Sequence, residues 1–379
     1  MSLVLTEEQI MLRDSAAGFL AEKASVAHLR ALRDDGDVLA HDPDVWQEMA
    51  EMGWAGIAIP EEHGGLGYGY TGLGVVLEQM GRNLSASPME SSVLIGATAI
   101  QSLGSAEQMS TWLPAIASGE QQVALALQET SVFDPAATAM AAEREGDVYS
   151  LSGTKCMVLD ALSADAFVII ARTSGESGDT SGLSAFLMPA DVDGLTITAC
   201  DMVDSRQYGS MELEAVKLPA DARMGAEGEA WSGLERTLDI AAIGLSAELL
   251  GLSLEAFERT MGYLRERKQF GKVIGSFQGL QHRAAALFAE LELARSIVLK
   301  ALQAIDNDEE NLSELASAAK AKMCEVAKTA SNEGVQMHGG IGMTDEYDIG
   351  FFLKRARVLQ HLMGDYYYHL DRFARIGGY

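Results

Sequence analysis

Leu113-Pro114-Ala115-Ile116-Ala117-Ser118-Gly119-Glu120 is the stretch at which the chain changes its repeat. Before it, apolar residues recur at three- and four-residue steps, the signature of helices with one buried face. After Gly119-Glu120, short β-rich segments take over at Val123–Leu127, Val148–Leu151, Phe167–Ile170, Ala185–Met188, Leu195–Thr198 and Met211–Val216. Gly146-Asp147, Gly175-Glu176-Ser177-Gly178-Asp179 and Asp193-Gly194 punctuate them. Strands at this spacing predict a small antiparallel sandwich or barrel. No alternation of strand and helix appears, which disfavours a dinucleotide-binding domain of the doubly wound kind.

Toward the N-terminus, Thr6-Glu7-Glu8-Gln9 offers a hydroxyl cap with a glutamine three residues on, ahead of Ile10, Leu12, Phe19 and Leu20. A second helix is expected from Asp44 to Met52, ending at Gly53. Ile57-Ala58-Ile59 reads as a short extended piece, and Pro60-Glu61-Glu62-His63-Gly64-Gly65-Leu66-Gly67 as a turn. Its glycines invite a phosphate-loop reading, but no lysine follows them in the required place, so a structural turn is the better account. Helical patterning resumes over Gly72–Met80 and runs, with breaks, to Leu113-Pro114.

From Gly228 the helical period returns and persists. Leu238–Leu264, Phe277–Ile305 and Leu312–Met337 are long amphipathic patterns of the kind that pack as a bundle, with Asn307-Asp308-Glu309-Glu310 as a solvated turn. The expected architecture is mainly α with a β insert. Its domains are an N-terminal helical domain (1–118), a middle antiparallel β-sandwich or barrel (119–226) and a C-terminal four-helix bundle (227–379).

A chain of 379 residues is too long for one simple core, and two or three packed units are expected. Its 48% hydrophobic and 22% charged residues are those of an ordinary globular protein. No apolar run approaches a membrane span, and the first residues do not read as a secretory leader, so the cytoplasm is the expected location. Three cysteines, Cys156, Cys200 and Cys324, signal neither a disulfide framework nor a metal cluster. The net charge of -27 repels nucleic acid and anionic lipid, so neither is an expected partner.

Between two of the long helical patterns lies Arg267-Lys268-Gln269-Phe270-Gly271, continuing through Ile274, Gly275 and Phe277-Gln278. A guanidinium matches phosphate oxygens with two parallel bonds, an aromatic ring offers a flat face, and a glycine lets the backbone approach closely. One reading is a dinucleotide pyrophosphate site; the other is an interhelix loop whose arginine pairs with a surface carboxylate. Taken alone, the stretch favours the loop.

Taken together, five stretches resemble the acyl-CoA dehydrogenase family over nearly the whole chain. They are Pro60 to Gly67, Leu113 to Glu120, Leu151-Ser152-Gly153-Thr154-Lys155, Arg267 to Gly271, and Gln336-Met337-His338-Gly339-Gly340-Ile341-Gly342. Gly81-Arg82-Asn83-Leu84 and Gly342-Met343-Thr344-Asp345-Glu346-Tyr347 resemble a small-subunit branch, of which the pimeloyl-CoA dehydrogenase type is an example. The resemblance implies FAD between β-domain and bundle, with paired subunits each touching both flavins, and an acyl-CoA substrate. It also implies a carboxylate that takes the α-proton of the thioester while the β-hydrogen leaves as hydride to the flavin. Electron-transfer flavoprotein is the implied electron acceptor, and a homo- or heterotetramer with a homologous subunit the implied assembly.

The resemblance also locates departures. Met363 stands where most members carry the catalytic glutamate, and Ala241 and Ala242 stand where a minority carry a glutamate and arginine. Asp239, two helix positions from Ala241, faces away from it, Glu248 lies two turns on, and His361 is the remaining candidate base. The flavin-facing signature of the β-domain is reduced to Gln128-Glu129-Thr130-Ser131-Val132-Phe133-Asp134-Pro135, and Met157 and Leu159 replace its tryptophan and threonine. By contrast Arg267, Gln269, Phe270, Ile274, Gln278, Gln336, Gly339 and Gly340 retain the pattern that, in the family, reaches the ADP half of a neighbour's FAD. The expected function is acyl-CoA dehydrogenation by a chain that completes a partner's flavin site, its own catalytic residue being unknown. The alternatives are a self-sufficient dehydrogenase using Asp239 or His361, and a desulfinase-type lyase of the same fold in which Arg82 steers an acidic acyl tail.

Overall fold

A computed structural model describes residues 3–36 and 39–379. The first elements are helices α1 (Glu7–Lys23), α2 (Val26–Asp35), α3 (Pro43–Glu51), α4 (Tyr70–Asn83), a π-helical segment Met89–Gly96, α5 (Ala97–Leu103) and α6 (Ala106–Ala117). Strands follow: β1 (Val123–Ala126), β2 (Ala141–Glu145), β3 (Val148–Leu159), β4 (Ala166–Arg172), β5 (Leu183–Pro189), β6 (Leu195–Cys200), β7 (Tyr208–Pro219) and β8 (Arg223–Met224). The remainder is α7 (Trp231–Glu266), a hairpin of β9 (Lys268–Gln269) and β10 (Lys272–Val273), α8 (Gln278–Asp306), α9 (Leu312–His338), α10 (Ile349–His361) and α11 (Tyr366–Ile376).

Local chemistry sets the helix ends. The Thr6 hydroxyl accepts from the Gln9 amide while the Gln9 side chain accepts from the Thr6 N–H, the reciprocal box expected of that tetrad. Asp42 caps α3 with Pro43 in its first turn. Two expectations are corrected. Ile57-Ala58-Ile59 is not extended but lies in a run of turns, because Leu66, Gly67 and Tyr68 fold back to donate to the carbonyls of Gly56, Ile59 and Ile57. A β-carbon on Gly65 would overlap the Ile59 carbonyl, so these glycines serve close packing. Pro114 lies inside α6, which continues to Ala117 and stops just before Gly119, whose φ is 78°.

The chain gathers into two compact units: one holds the chain up to Ala31 with Tyr70–Ala86 and Ala242–Tyr379, the other Leu32–Gly69 and Ser87–Ala241. In the second unit the strands form one eight-stranded sheet, ordered β6-β7-β3-β2-β4-β5-β8 with β1 beside β4. Its ladders are antiparallel, except that β1 runs parallel to β4 and β2 meets β4 in a single parallel pair. β4 is buried along its whole length, which is why it reads as an unbroken apolar run. Tyr149, Phe167, Ile169, Phe186 and Leu213 lie in its core. β3 and β7 are much longer than the periodicity predicts, since bulges between Leu151 and Gly153 and between Lys155 and Val158 break their alternation. β2 exposes all but Ala142 and left no apolar signal.

In the first unit α1 and α8 pack on α4, and α8, α10 and α11 pack on α9. α4 meets α7 almost backbone to backbone, for β-carbons on Gly81 and Gly251 would overlap the carbonyls of Glu248 and Glu78. The Arg355 guanidinium donates twice to Glu248 Oε1, at 2.9 and 2.7 Å, in the buried interior. The expectation that no apolar run approaches a membrane span is corrected: α7 is apolar and long enough to cross one, but its most apolar stretch is 89% buried within the fold, as befits a core helix.

Candidate functional site

Arg267 to Gly271 forms the start of the β9–β10 hairpin. Gln269 pairs with Lys272, leaving Phe270 (φ 54°) and Gly271 (φ 77°) as a two-residue turn in left-handed conformations. Phe270 is 89% exposed, held only edge-on to Phe277 at 6.3 Å between ring centres. The Arg267 N–H donates to Tyr263 at 2.9 Å, and its carbonyl accepts from Ile274 at 2.9 Å, so the backbone is pinned while the side chain is exposed. Among the described residues no carboxylate pairs with Arg267, and the side chains of Gln269, Gln278 and Gln336 are exposed without hydrogen-bond partners. The stretch is thus an interhelix hairpin whose arginine has no carboxylate partner among the described residues.

Gln336, Gly339 and Gly340 end α9. Gly339 takes φ 65° and caps the helix, and β-carbons on Gly339, Gly340 or Gly271 would meet nothing within 4 Å. Beneath them lies His338, buried, its Nδ1–H donating to the Gly334 carbonyl at 2.6 Å. Burial holds its pKa below the ordinary value and the ring neutral. The ring lies 4.4 Å from Tyr263 and 4.7 Å from Tyr347, and the Tyr263 hydroxyl donates to the His338 carbonyl at 3.3 Å. Tyr263 thus ties hairpin and helix end together through its own carbonyl and hydroxyl. His338 lay inside a quoted stretch, but nothing in the sequence marked Tyr263. The resulting surface presents a guanidinium, amides, an aromatic face and unhindered glycine backbone, a donor set that fits a diphosphate ester.

Met363 is in every way the opposite. It is buried to 9% exposure in the turn after α10, with φ 56°, a conformation that favours glycine or asparagine over a long side chain. The turn is held by Lys320, fully buried on α9, whose ammonium donates to the carbonyls of Leu362 at 2.8 Å, Gly364 at 2.9 Å and Gln360 at 3.4 Å. Burial lowers the pKa of Lys320. His369 Nε2–H donates to the Met363 carbonyl at 2.8 Å, and burial brings that imidazole down to about 3. Neither Lys320 nor His369 was legible as part of this turn, since each comes from another helix.

The other candidate bases lie apart in kind. Ala241, Ala242 and Asp239 are buried in α7, Glu248 is committed to Arg355, and His361 stands exposed at the end of α10. In the β-domain, Lys155 is buried and donates to Glu129 at 2.6 Å and to the Leu127 carbonyl at 3.0 Å. Burial pushes its pKa down to about 8 against the opposing attraction of Glu129. Glu129 also accepts from the amides of Ala139 and Met140. Gln128 and Thr130 bond to carbonyls within the same segment, so its polar groups are spent on closing a loop. Met157, half-buried with φ 54°, sits in the second bulge of β3. Among the described residues no group of three or more metal-ligating side chains stands together.

Residues 6–120 match the acyl-CoA dehydrogenase N-terminal domain, 124–216 its middle domain and 229–377 its C-terminal domain. A probable acyl-CoA dehydrogenase of Bacillus subtilis, YngJ, is 31% identical over 366 residues, 95% of either chain. A Tcur3481–Tcur3483 steroid ACAD variant has the same fold with a TM-score of 0.88 and 30% identity, over 98% of both chains. The ChsE4–ChsE5 complex from Mycobacterium tuberculosis gives 0.90 and 25%, over 100% of this chain and 99% of the other. Helical, β and helical segments occur here in the order that those domain matches require. The chain belongs to the acyl-CoA dehydrogenase family of FAD-binding oxidoreductases.

Proposed function

We propose that this chain takes part in the α,β-dehydrogenation of an acyl-CoA thioester as the member of a subunit pair that completes its partner's flavin site. The reading follows the domain division 1–118, 119–226 and 227–379 and the small-subunit resemblance. The observation that carries it is the contrast between an exposed, unpartnered donor set and a methionine at the position of the base. Arg267 would hold phosphate oxygens of the partner's cofactor, Gln269, Gln278 and Gln336 would add amide contacts, and Gly339 and Gly340 would admit it closely. Phe270 and Ile274 would supply apolar cover. FAD, when bound, supplies the acceptor for the substrate's β-hydrogen. The base that takes the α-proton would come from the homologous partner, because a thioether cannot hold a proton at neutral pH.

Support comes also from the paired names of two similar structures, one of them called a complex. Electron-transfer flavoprotein as acceptor, a tetrameric assembly and a cytoplasmic location belong to the same reading. Asp239 and His361 remain the residues on which a self-sufficient dehydrogenase would depend. A lyase steering an acidic tail with Arg82 is less well supported, since that guanidinium is engaged by Glu255 and Glu258. The test is an absorption spectrum of the chain purified alone and after coexpression with a homologous acyl-CoA dehydrogenase subunit. The expected result is little flavin alone and full loading, with acyl-CoA-dependent bleaching, in the pair. One flavin per chain in a homo-oligomer that acyl-CoA bleaches would overturn it.

A further inference from the structure

Away from the hairpin and the Met363 turn, a cavity of about 370 Å³ opens within the helical unit. α1 contributes Arg13 and Ala17, α4 Glu78 and Arg82, α7 Leu250, and α8 Arg295, Val298 and Leu302. Its size falls within the range of about 300–1,000 Å³ common to small-molecule sites. One part of the wall is aliphatic, while the polar groups gather at the other.

The Glu78 carboxyl accepts no hydrogen bond from any described residue. Burial raises its pKa, opposed by Arg82, Arg295 and Arg13 in that order. Glu78 therefore stands at the polar end of the cavity, within the field of three guanidinium groups but hydrogen-bonded to none of them. Arg82 is already committed, donating to Glu258 through both terminal nitrogens at 3.0 Å and to Glu255 at 3.3 Å. Arg13 and Arg295 are not so bound. Among the described residues Arg13 pairs only with its exposed neighbour Asp14, and Arg295 only with Glu292 at 3.4 Å, both of which are surface pairs of the weakly held kind.

We infer that this cavity binds an aliphatic carboxylate, its chain against Leu250, Val298 and Leu302 and its head between Arg13 and Arg295. The two guanidinium groups would donate to the ligand carboxylate and balance its charge. A thioester lacks the charged head, so the site selects a free acid over an acyl-CoA. The inference is independent of the subunit reading, for none of these residues belongs to the flavin set.

Calorimetric titration of the purified chain with sodium octanoate, octan-1-ol and octylammonium chloride tests it. Octanoate is expected to bind once per chain, at least tenfold tighter than the alcohol. Ala17→Phe fills the cavity from a half-buried position and should abolish binding. Arg13→Gln with Arg295→Gln, both at partly exposed positions, should weaken octanoate about tenfold or more and leave the alcohol unchanged. Glu78→Gln keeps the shape without the carboxyl, and should retain binding. Octylammonium binding as tightly as octanoate, equal binding of the alcohol, or no saturable heat from octanoate would each overturn the proposal. So would octanoate binding that survives Ala17→Phe.

Discussion

The β9–β10 hairpin and the turn at Met363 stand at opposite extremes of self-sufficiency. Around Met363, a buried ammonium and a buried imidazole from two other helices saturate four consecutive or near-consecutive carbonyls. Around Arg267 the backbone is equally well tied, but the guanidinium and three amides find no partner among the described residues. A family member that used its own base would need a carboxylate at the first place; a member that only served a neighbour would need the second. Scaffold and chemistry can separate: the turn is fully held by Lys320 and His369, although the side chain it carries at 363 is a methionine.

The largest break in this comparison should come from Lys320→Met. It leaves three carbonyls without their common donor, and with each unsatisfied buried group costing about 1–3 kcal/mol the loss should reach about 3 kcal/mol or more. Urea denaturation followed by circular dichroism reads it directly. A loss below 1 kcal/mol would mean that water replaces the ammonium and that the turn is not closed.

The imidazole of His369 should make the same turn sensitive to acid. In the folded chain its pKa is about 3, against an ordinary value near 6.5 in the unfolded chain. Stability from this neutral ring is complete above about pH 6.5 and declines as pH falls, because only the unfolded state takes up the proton. The slope is about 1.4 kcal/mol per pH unit, so roughly 2 kcal/mol should vanish between pH 6.5 and 5. His369→Gln should flatten that part of the profile; an unchanged slope would assign the acid sensitivity elsewhere.

The smallest effect on stability is expected at the hairpin. Arg267→Ala should change the unfolding free energy by less than about 0.5 kcal/mol, as for a surface side chain without partners. It should nonetheless strip flavin from the coexpressed pair, and Arg267→Lys should not rescue it, since a lysine lacks the planar fork. Unchanged flavin content in both variants would leave the hairpin without the role proposed for it.

Much of this was open to a reader of the chain alone. The change of apolar period at Gly119-Glu120 and the Thr6–Gln9 cap are local matters, decided by residues a few positions apart; the left-handed pair at Phe270-Gly271 was not read from the sequence. The long helices were legible for the same reason, and so was the absence of a carboxylate at 363. What escaped was β2, whose exposed polar residues carry no periodic signal, and the length of β3 and β7, whose bulges interrupt theirs.

Only the tertiary structure decided which polar groups are spent. It committed Glu248 to Arg355 across 107 residues, Lys155 to Glu129 across 26 and Lys320 to carbonyls some 40 residues on, while the Arg267 side chain meets no partner among the described residues. Periodicity along a chain records which face of an element is buried, because burial repeats with the turn of the helix or the pleat of the strand. It does not record the partner that a buried charge meets, since that depends on how distant segments come to lie beside one another.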